Sequence, residues 1–301
     1  MELFLKVLFI LFILGTVVYL IFLYTLIKFR YKPELGGPFF TLCIFVGLQD
    51  IFTLLQSWFL VKFPMLGWLG LPELIKDHNH VIAQIFSFTS PQTLLGQQVG
   101  LITLAANRYT ALCHEKLHRS IWTKKVIVSV IVLQFVFPLP CSVTQGLFID
   151  MFYMIDNNTG LIKSPAYRDD RQKAIMFGIR TVIWVMCNIA MGVMYLLMVR
   201  HIRKHLNQVA ESGQRSGITT AVDKKLALFG FCLFLVNCVV LSFTFGMVFV
   251  SAKDNFNTYM LVVRCYLVGV DVLSYCNPYF LIFLCSAVRE HFLAVLTCKQ
   301  I

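Results

Sequence analysis

The chain has 301 residues, of which 58% are hydrophobic and 14% are charged, whereas soluble domains average about 45–50% and about 25%. A soluble domain of this length removes only about three quarters of its surface from water, which is too little for this composition. The composition therefore predicts a polytopic membrane protein and excludes soluble enzymes, nucleic-acid-binding proteins and disordered scaffolds. The net charge of +11 is typical of basic loops that face an anionic membrane leaflet.

Seven stretches are apolar and long enough to cross a bilayer, which takes about 20 helical residues. The first stretch is longer than the apolar core of a signal peptide and no cleavage site follows it, so we expect it to remain as an anchor. The third contains Pro91 but no charge between His80 and Arg108. We predict one domain over residues 1–301, with spans at 3–27, 38–61, 80–112, 126–148, 174–199, 226–250 and 258–284, and a tail at 285–301.

Lysine and arginine are unevenly distributed between the loops. With the N-terminus outside, sixteen of them lie on the cytoplasmic side and eight, including Lys62, on the outer side. Because basic residues concentrate on the cytoplasmic side, we expect the N-terminus outside and the tail inside. Asn157 begins an Asn-Asn-Thr glycosylation sequon in an outer loop, which agrees with this orientation.

Besides Arg108, four ionisable residues lie clearly at membrane depth in the predicted spans, where a charge costs about 3 kcal/mol and usually has a functional or paired role. Asp50 and Asp271 lie near the midplane, and we expect each to make polar contacts inside the bundle. Arg264 precedes Asp271 by seven residues, on the same helical face, so these two side chains either serve a ligand or pair with each other. For Arg180 and Arg264, a side chain that reaches out to the interface is an equal alternative.

Two short motifs mark the cytoplasmic ends of the predicted spans. Asn107-Arg108-Tyr109 closes the third span and is followed by a basic loop. Asn277-Pro278 lies in the seventh span, where a proline frees a carbonyl group that neighbouring groups must satisfy.

The segment after the seventh span predicts a short amphipathic helix over 286–296 that lies on the membrane. Cys298 follows it and is a candidate for palmitoylation. The ten cysteines all fall in predicted spans or on the cytoplasmic side, so we expect reduced side chains that pack in the interior.

Together, the seven spans, the midplane aspartate in the second, Asn-Arg-Tyr at the end of the third and Asn-Pro in the seventh resemble a G-protein-coupled receptor of rhodopsin-like architecture. The Ala-Ala-Asn-Arg-Tyr-Thr-Ala-Leu-Cys stretch and the Ile-Trp-Thr-Lys-Lys that follows it, within 105–125, are similar to nematode serpentine chemoreceptors of classes V and G. The fold expected is an all-α bundle of seven membrane helices with a short amphipathic helix behind it.

The resemblance implies a sensory receptor in the plasma membrane, in particular the ciliary membrane, with a heterotrimeric G protein as its partner, and it allows a receptor dimer. It carries an activation and coupling role onto Asp50, Asn107, Arg108, Tyr109, Asp223, Asn277 and Pro278.

The chain departs from the rhodopsin-like pattern at several of these positions. Asn107 stands where an acidic residue usually holds the arginine, and Asp223 at the base of the sixth span could take over part of that role. Leu281 leaves the Asn-Pro-x-x-Tyr motif incomplete. The third span and the second outer loop lack the cysteines of the family's outer disulfide.

Receptors of this architecture bind ligands between the outer halves of their helices, in mostly apolar clefts with few polar groups. The seventh span has Asp271 where an opsin has its lysine, and the third span has Ser90 where amine receptors have an acid. An opsin is therefore excluded and a simple amine is disfavoured. The expected ligand is a small odorant or pheromone-like molecule, such as a carboxylate or carbonyl compound, with Ser90, Gln97, Arg180, Arg264 and Asp271 as polar anchors.

The main alternative is a small-solute membrane transporter, although the sequence shows neither inverted repeats nor helices broken near the midplane. His201 and His205 are spaced like metal ligands, but no acid or further histidine accompanies them, so a basic helix end is favoured. We therefore expect no enzymatic activity, no cofactor and no metal.

Overall fold

The computed structural model describes residues 2–155, 162–212, 218–249 and 256–298. They form a helical bundle with a β-hairpin at one end, which we call the hairpin end, while the opposite end is the α6 end. The elements are α1 (Glu2–Lys28), α2 (Pro38–Ser57), a π-helical segment (Trp58–Lys62), α3 (Phe63–Leu66), α4 (Leu71–Asp77), α5 (Asn79–Cys113), α6 (Glu115–Ile121), α7 (Lys124–Val136), α8 (Leu139–Phe148), β1 (Met151–Ile155), β2 (Ile162–Tyr167), α9 (Asp170–Ser212), α10 (Ile218–Phe249), α11 (Phe256–Leu284) and α12 (Ser286–Leu296).

Six helical stretches of the described residues are apolar and long enough to cross a membrane, which makes this a multi-pass membrane protein. They overlap the first, second, fourth, fifth, sixth and seventh predicted spans. The six are Lys6–Lys28, Pro38–Leu66, Lys124–Phe148, Arg171–Lys204, Lys225–Met247 and Thr258–Leu284.

The predicted third span falls in α5, which is 35 residues long but more polar than those six. This helix packs against α2, α7, α8, α9 and α10. Gln97, Gln98 and Thr93 are buried between these neighbours. A helix with protein on all these sides can carry amide and hydroxyl groups, because neighbouring helices supply the hydrogen bonds that lipid cannot.

The helix that begins with α2 continues beyond its predicted end at residue 61. It passes through the π-helical segment and reaches Leu66 at the end of α3. Pro64 has no N–H for the carbonyl of Leu60, four residues earlier. The hydroxyl of Tyr153, on β1, donates to that carbonyl over 2.7 Å instead. The hairpin thus satisfies a carbonyl group that the proline releases.

The predicted fourth span is divided into α7 and α8 at Pro138. Proline removes a helical hydrogen bond and clashes with the preceding turn. The side-chain amide of Gln92 donates to the carbonyl of Phe135 over 2.9 Å, next to this break. A polar residue of α5 therefore again supplies a partner to a neighbouring backbone.

The β-hairpin corrects the expectation of an all-α protein. Strands β1 and β2 pair antiparallel, with Met151 opposite Tyr167. Asn79, at the start of α5, accepts from the N–H of Tyr153 over 2.8 Å and donates to its carbonyl over 3.2 Å. Tyr153 is buried in a cluster with Ile75 and Met151. The hairpin is thereby fixed to the start of α5.

The predicted amphipathic helix is confirmed as α12, which covers the residues predicted for it. Its buried side chains Val288 and Phe292 lie towards α1 and α11. The His291 ring lies 4.6 Å from the Phe29 ring, centroid to centroid. Cys298 follows the helix and is exposed.

We expect Gly96→Ala to lower the thermal stability of the solubilised protein. A Cβ at Gly96 would lie 2.8 Å from the side-chain nitrogen of Gln49 and 3.1 Å from the backbone oxygen of Gln134, and the backbone cannot move easily. Overpacking of this kind costs about 1–3 kcal/mol. The measurement is a melting curve followed with a thiol-reactive dye, because Cys43 and Cys285 are buried in the folded state.

The control is Gly178→Ala in α9, where an added Cβ meets nothing within 4 Å. It should leave the melting temperature unchanged or raise it, since alanine favours helix by about 1 kcal/mol over glycine. Equal effects of the two substitutions would contradict the close approach of α5 to α2 and α7.

Candidate functional site

A cavity of about 90 Å³ lies beneath the hairpin, surrounded by α5, α9, α10, α11 and both strands. Two of the predicted ligand residues, Ser90 and Arg180, line it. Both are buried, and the remaining wall is mainly apolar and aromatic. Its other lining residues include Phe86, Gln145, Tyr167, Phe177, Tyr259 and Tyr266.

Arg180 brings a positive charge to this cavity. Its guanidinium donates to the Tyr167 hydroxyl oxygen over 3.1 Å and lies 4.4 Å from the ring centroid of Phe177. Within the described residues, no acidic side chain forms an ion pair with it. Gln145 also donates to the Tyr167 oxygen, over 3.0 Å. The cavity therefore combines one uncompensated cation with several hydrogen-bonding groups.

Tyr167 can serve as a hydrogen-bond donor in this site. Burial raises the pKa of its hydroxyl group, although the nearby Arg180 partly opposes this shift. The phenol is consequently neutral at physiological pH. Its oxygen already accepts from Arg180 and Gln145, so its own proton can be offered to a third group. The sequence did not point to Tyr167, because this residue lies in the connection between the predicted fourth and fifth spans.

Asp50 is the centre of a polar cluster deeper in the bundle. Tyr19 and Gln97 both donate to its carboxylate. Gln97 also donates to the hydroxyl of Ser274 over 3.1 Å, and the Asn277 amide lies 3.4 Å from the Tyr19 hydroxyl. The cluster joins α1, α2, α5 and α11. Gln97 was predicted to face a ligand, but the structure places it here, away from Ser90 and Arg180.

A second polar cluster, which sequence analysis did not identify, joins α5, α9 and α10. The side-chain amides of Gln98 and Asn237 form two reciprocal hydrogen bonds of 2.9 Å. Asn237 also donates to Asn188 over 3.1 Å and accepts from the Trp184 indole over 3.0 Å. All four side chains are buried. The available signal was a set of uncharged polar residues in apolar spans, since such groups need internal partners.

Asp271 forms a buried ion pair with Lys62, in the π-helical segment after α2. Only 1% of Lys62 and 7% of Asp271 are exposed, and the Lys62 ammonium also lies 4.8 Å from the Trp58 ring. Counting Lys62 among the outer-loop residues was wrong, because the helix continues past it. Asp271 therefore does not pair with Arg264, which was one of the two alternatives that the sequence left open.

Arg264 lies apart from the cavity beneath the hairpin. It lines a separate apolar groove formed by α1, α10 and α11, while Arg180 lines the cavity. The five predicted ligand residues therefore divide among four places, and only Ser90 and Arg180 come together. A role in ligand binding stays a prediction for each of them.

At the α6 end, Arg108 is buried in an aromatic environment. Its guanidinium carbon lies 3.5 Å from the ring centroid of Phe39. Tyr195 and Gly230 line the same small void, of about 10 Å³. The packing is close, since a Cβ at Gly230 would collide with the Tyr195 ring. The helices are thus tightly closed around Arg108.

The other predicted coupling residues lie near Arg108 or farther along the bundle. Asn107 is buried, and its amide nitrogen has no hydrogen-bond partner among the described residues. The Tyr109 hydroxyl lies 3.2 Å from the His114 ring, and Pro278 lies within α11. The side chain of Asp223 and the whole of Asn157 lie outside what the structure describes.

A family model matches most of the chain. The model of the family described as serpentine type 7TM GPCR chemoreceptor Srv matches residues 8–298. The chain belongs to the Srv family. The prediction of a nematode-type serpentine chemoreceptor is thereby confirmed, and of the two classes expected, class V is the one found.

A curated relative of this Srv-family chain is serpentine receptor class V-1 from Caenorhabditis elegans. The two are 27% identical over 220 residues, which cover 72% of this chain and 66% of the relative. The Srv family is a receptor family and not an enzyme family. The chain is therefore a multi-pass membrane protein of a chemoreceptor family.

We expect Asp271→Asn to destabilise the protein strongly, because it leaves the Lys62 ammonium buried without its carboxylate. Loss of one partner of a buried pair costs about 3–5 kcal/mol. The double substitution Lys62→Met and Asp271→Leu removes both charges and should recover most of that loss. The comparison uses melting temperatures of the solubilised protein.

The matched control is Asp150→Asn, which breaks the pair between Asp150 and Arg168. That pair spans 3.1 Å, and its side chains are 39% and 69% exposed. Exposed pairs contribute about 0–1 kcal/mol, so the melting temperature should hardly change. An Asp271→Asn protein as stable as this control would show that the buried pair is not needed.

Proposed function

We propose that this protein is a chemosensory receptor that binds a small organic ligand beneath the hairpin and activates a heterotrimeric G protein. The observation that carries the proposal is the arginine in the cavity, Arg180, whose charge no acid balances among the described residues. The hydroxyl groups of Ser90 and Tyr167 lie in the same wall. A charged donor and neutral donors in an apolar cavity favour a carboxylate or carbonyl compound.

The size of the cavity favours a ligand of few atoms. Its volume of about 90 Å³ is well below the roughly 300–1,000 Å³ of sites that hold drug-sized molecules. Short-chain acids and ketones of odorant size fit this description. A larger ligand would require the hairpin and the surrounding helices to separate.

In the proposed orientation the seven helices, including α5, cross the membrane with the N-terminus and the hairpin outside. The ligand then enters from the outer side, while Arg108 lies at the cytoplasmic end. This orientation also exposes Asn157 to the glycosylation machinery and places Cys298 at the inner leaflet for palmitoylation. A ciliary membrane and a receptor dimer fit the same proposal.

The closed packing around Arg108 supports a mechanism for coupling. Phe39 covers the guanidinium, and Tyr195 lies against Gly230 beside it. Separation of α9 and α10 at this end would uncover Arg108 for the G protein. A ligand drives that change only if it binds the open arrangement more tightly than the closed one.

The test is a second-messenger assay in cells that express the protein, challenged with short-chain carboxylic acids, the matching ketones and the matching alcohols. We expect a response to an acid or a ketone that disappears with Arg108→Ala. Arg180→Gln should raise the concentration needed for a half-maximal response by about tenfold or more, as expected for loss of a charge-assisted hydrogen bond. Surface expression is measured for each variant.

Arg168→Gln is the matched control, because Arg168 is an exposed arginine next to β2 and its loss should leave the response unchanged. Ligand uptake or an ionic current that is unchanged by Arg108→Ala would contradict the proposal and would favour a transporter or a channel.

Asn107→Asp should lower signalling in the absence of ligand. The substitution places a carboxylate beside the buried guanidinium of Arg108 and stabilises the closed arrangement, because opposite charges in a low-dielectric site attract strongly. The measurement is basal second-messenger level, normalised to surface expression. Asn107→Ala brings no charge and is the control. Basal signalling that is equal in the two variants would contradict a latch of this kind.

A further inference from the structure

A large apolar groove lies on the membrane-facing side of the bundle, at the hairpin half. Residues of α1, α10 and α11 form its walls, and its inner end reaches Lys62 and Met65. Its volume is about 590 Å³, within the range of known ligand sites. We call it the lateral groove. It is more than six times as large as the cavity beneath the hairpin.

The rim of the lateral groove faces lipid. Val239, Leu261 and Val272 line it and are 54%, 59% and 46% exposed. These residues lie within the stretches Lys225–Met247 and Thr258–Leu284 that cross the membrane. The groove therefore opens sideways into the hydrocarbon layer. Molecules that partition into the bilayer can reach it without passing through water.

Arg264 is the polar feature of this groove that the fold leaves unexplained. Its Nε atom is buried and has no hydrogen-bond partner among the described residues. No described acid forms an ion pair with it, since Asp271 pairs with Lys62. A guanidinium just inside the hydrocarbon layer still needs hydrogen-bond acceptors, which lipid chains do not supply. An anion in the groove would supply both the hydrogen bonds and the opposite charge.

The position of Arg264 sets the orientation of such an anion. It lies six residues into Thr258–Leu284, or about 9 Å below the hairpin end of that stretch at 1.5 Å per residue. The groove continues along α11 as far as Val272, about 12 Å deeper. The charged group would thus be held near the interface, with an apolar chain running towards the midplane.

We propose that the lateral groove binds a single-chain amphiphile with a carboxylate head, of the long-chain fatty-acid type, with its head on Arg264. The volume favours one chain over two. The groove has the volume of a site that holds one drug-sized molecule, which suits one acyl chain better than the two chains of a diacyl phospholipid. This site is distinct from the cavity proposed for a small ligand.

Binding at this site would affect contacts in the interior of the bundle. The inner wall of the groove includes Lys62, whose ion pair with Asp271 joins the segment after α2 to α11. The chain of a bound amphiphile would contact the aliphatic stem of Lys62. Binding would therefore change the packing around the ion pair of Lys62 and Asp271.

The experiment measures binding of radiolabelled hexadecanoate to the purified full chain in nanodiscs of zwitterionic phospholipid. We expect saturable binding that unlabelled hexadecanoate displaces. Hexadecanol, which has the same chain and no charge, should displace it at least about tenfold less well, as expected when a charge-assisted hydrogen bond is lost. This comparison needs no variant and does not depend on folding of a mutant.

Two variants locate the site. Arg264→Gln should weaken hexadecanoate binding by about tenfold or more, and Val239→Trp should abolish it by filling the groove. The controls are Arg168→Gln and Val193→Trp, the latter at a 51% exposed position of α9 outside the groove. Both should bind as the unchanged protein does. Melting curves establish that each variant is folded.

Three results would overturn the proposal. They are equal displacement by acid and alcohol, binding that survives both Arg264→Gln and Val239→Trp, and displacement by an anionic diacyl phospholipid as effective as that by the acid. The last would show that Arg264 only contacts lipid head groups at the interface. Because the assay measures binding and not signalling, its outcome is independent of whether the receptor function proposed above holds.

Discussion

The bundle depends on one constraint, which is that polar groups inside a membrane must find partners within the protein. Helix α5 meets much of this requirement. Gln97 connects it to Asp50 and Ser274, and Gln98 connects it to Asn237. These two neighbouring residues point to different sides of the helix, so α5 is linked to α2 and α11 on one side and to α10 on the other. The amides therefore join α5 to neighbours on two of its sides.

The same constraint explains how the hairpin end is ordered. All ten cysteines of the chain are free, so no disulfide holds this end among the described residues. Asn79 makes two hydrogen bonds to the backbone of Tyr153, and the Tyr153 hydroxyl donates to the carbonyl of Leu60. One tyrosine thus connects the hairpin to the start of α5 and to the helix that begins with α2. In the absence of a covalent link, this end of the protein is held by side-chain contacts that can separate and reform, which suits a surface that admits a ligand.

The sequence predicts the membrane helices well because their signal is long and additive. The positions of α9, α10 and α11 and of the short helix α12 follow from apolar stretches and their ends. The partners of charged residues could not be predicted. The partner of Asp271 is Lys62, which is distant in sequence and lies beyond the expected end of its span, so neither spacing nor helical periodicity relates the two. The hairpin was not predicted, because its strands are short. A search for long apolar stretches does not distinguish such strands from an irregular loop between two membrane helices.

Helix α9 connects the regions that a receptor mechanism has to couple. It carries Arg180 in the cavity, Trp184 and Asn188 in the second polar cluster, and Tyr195 beside Arg108. Steps of four, four and seven residues keep these side chains on one face of the helix. A continuous helix moves as a unit over this length, so a shift imposed at Arg180 would also act on the hydrogen bonds of Asn237 and on the contact between Tyr195 and Gly230. The reciprocal amide pair of Gln98 and Asn237 has a definite bonded geometry and resists small displacements. A ligand would therefore have to change the packing of α9 against α10 as a whole in order to uncover Arg108.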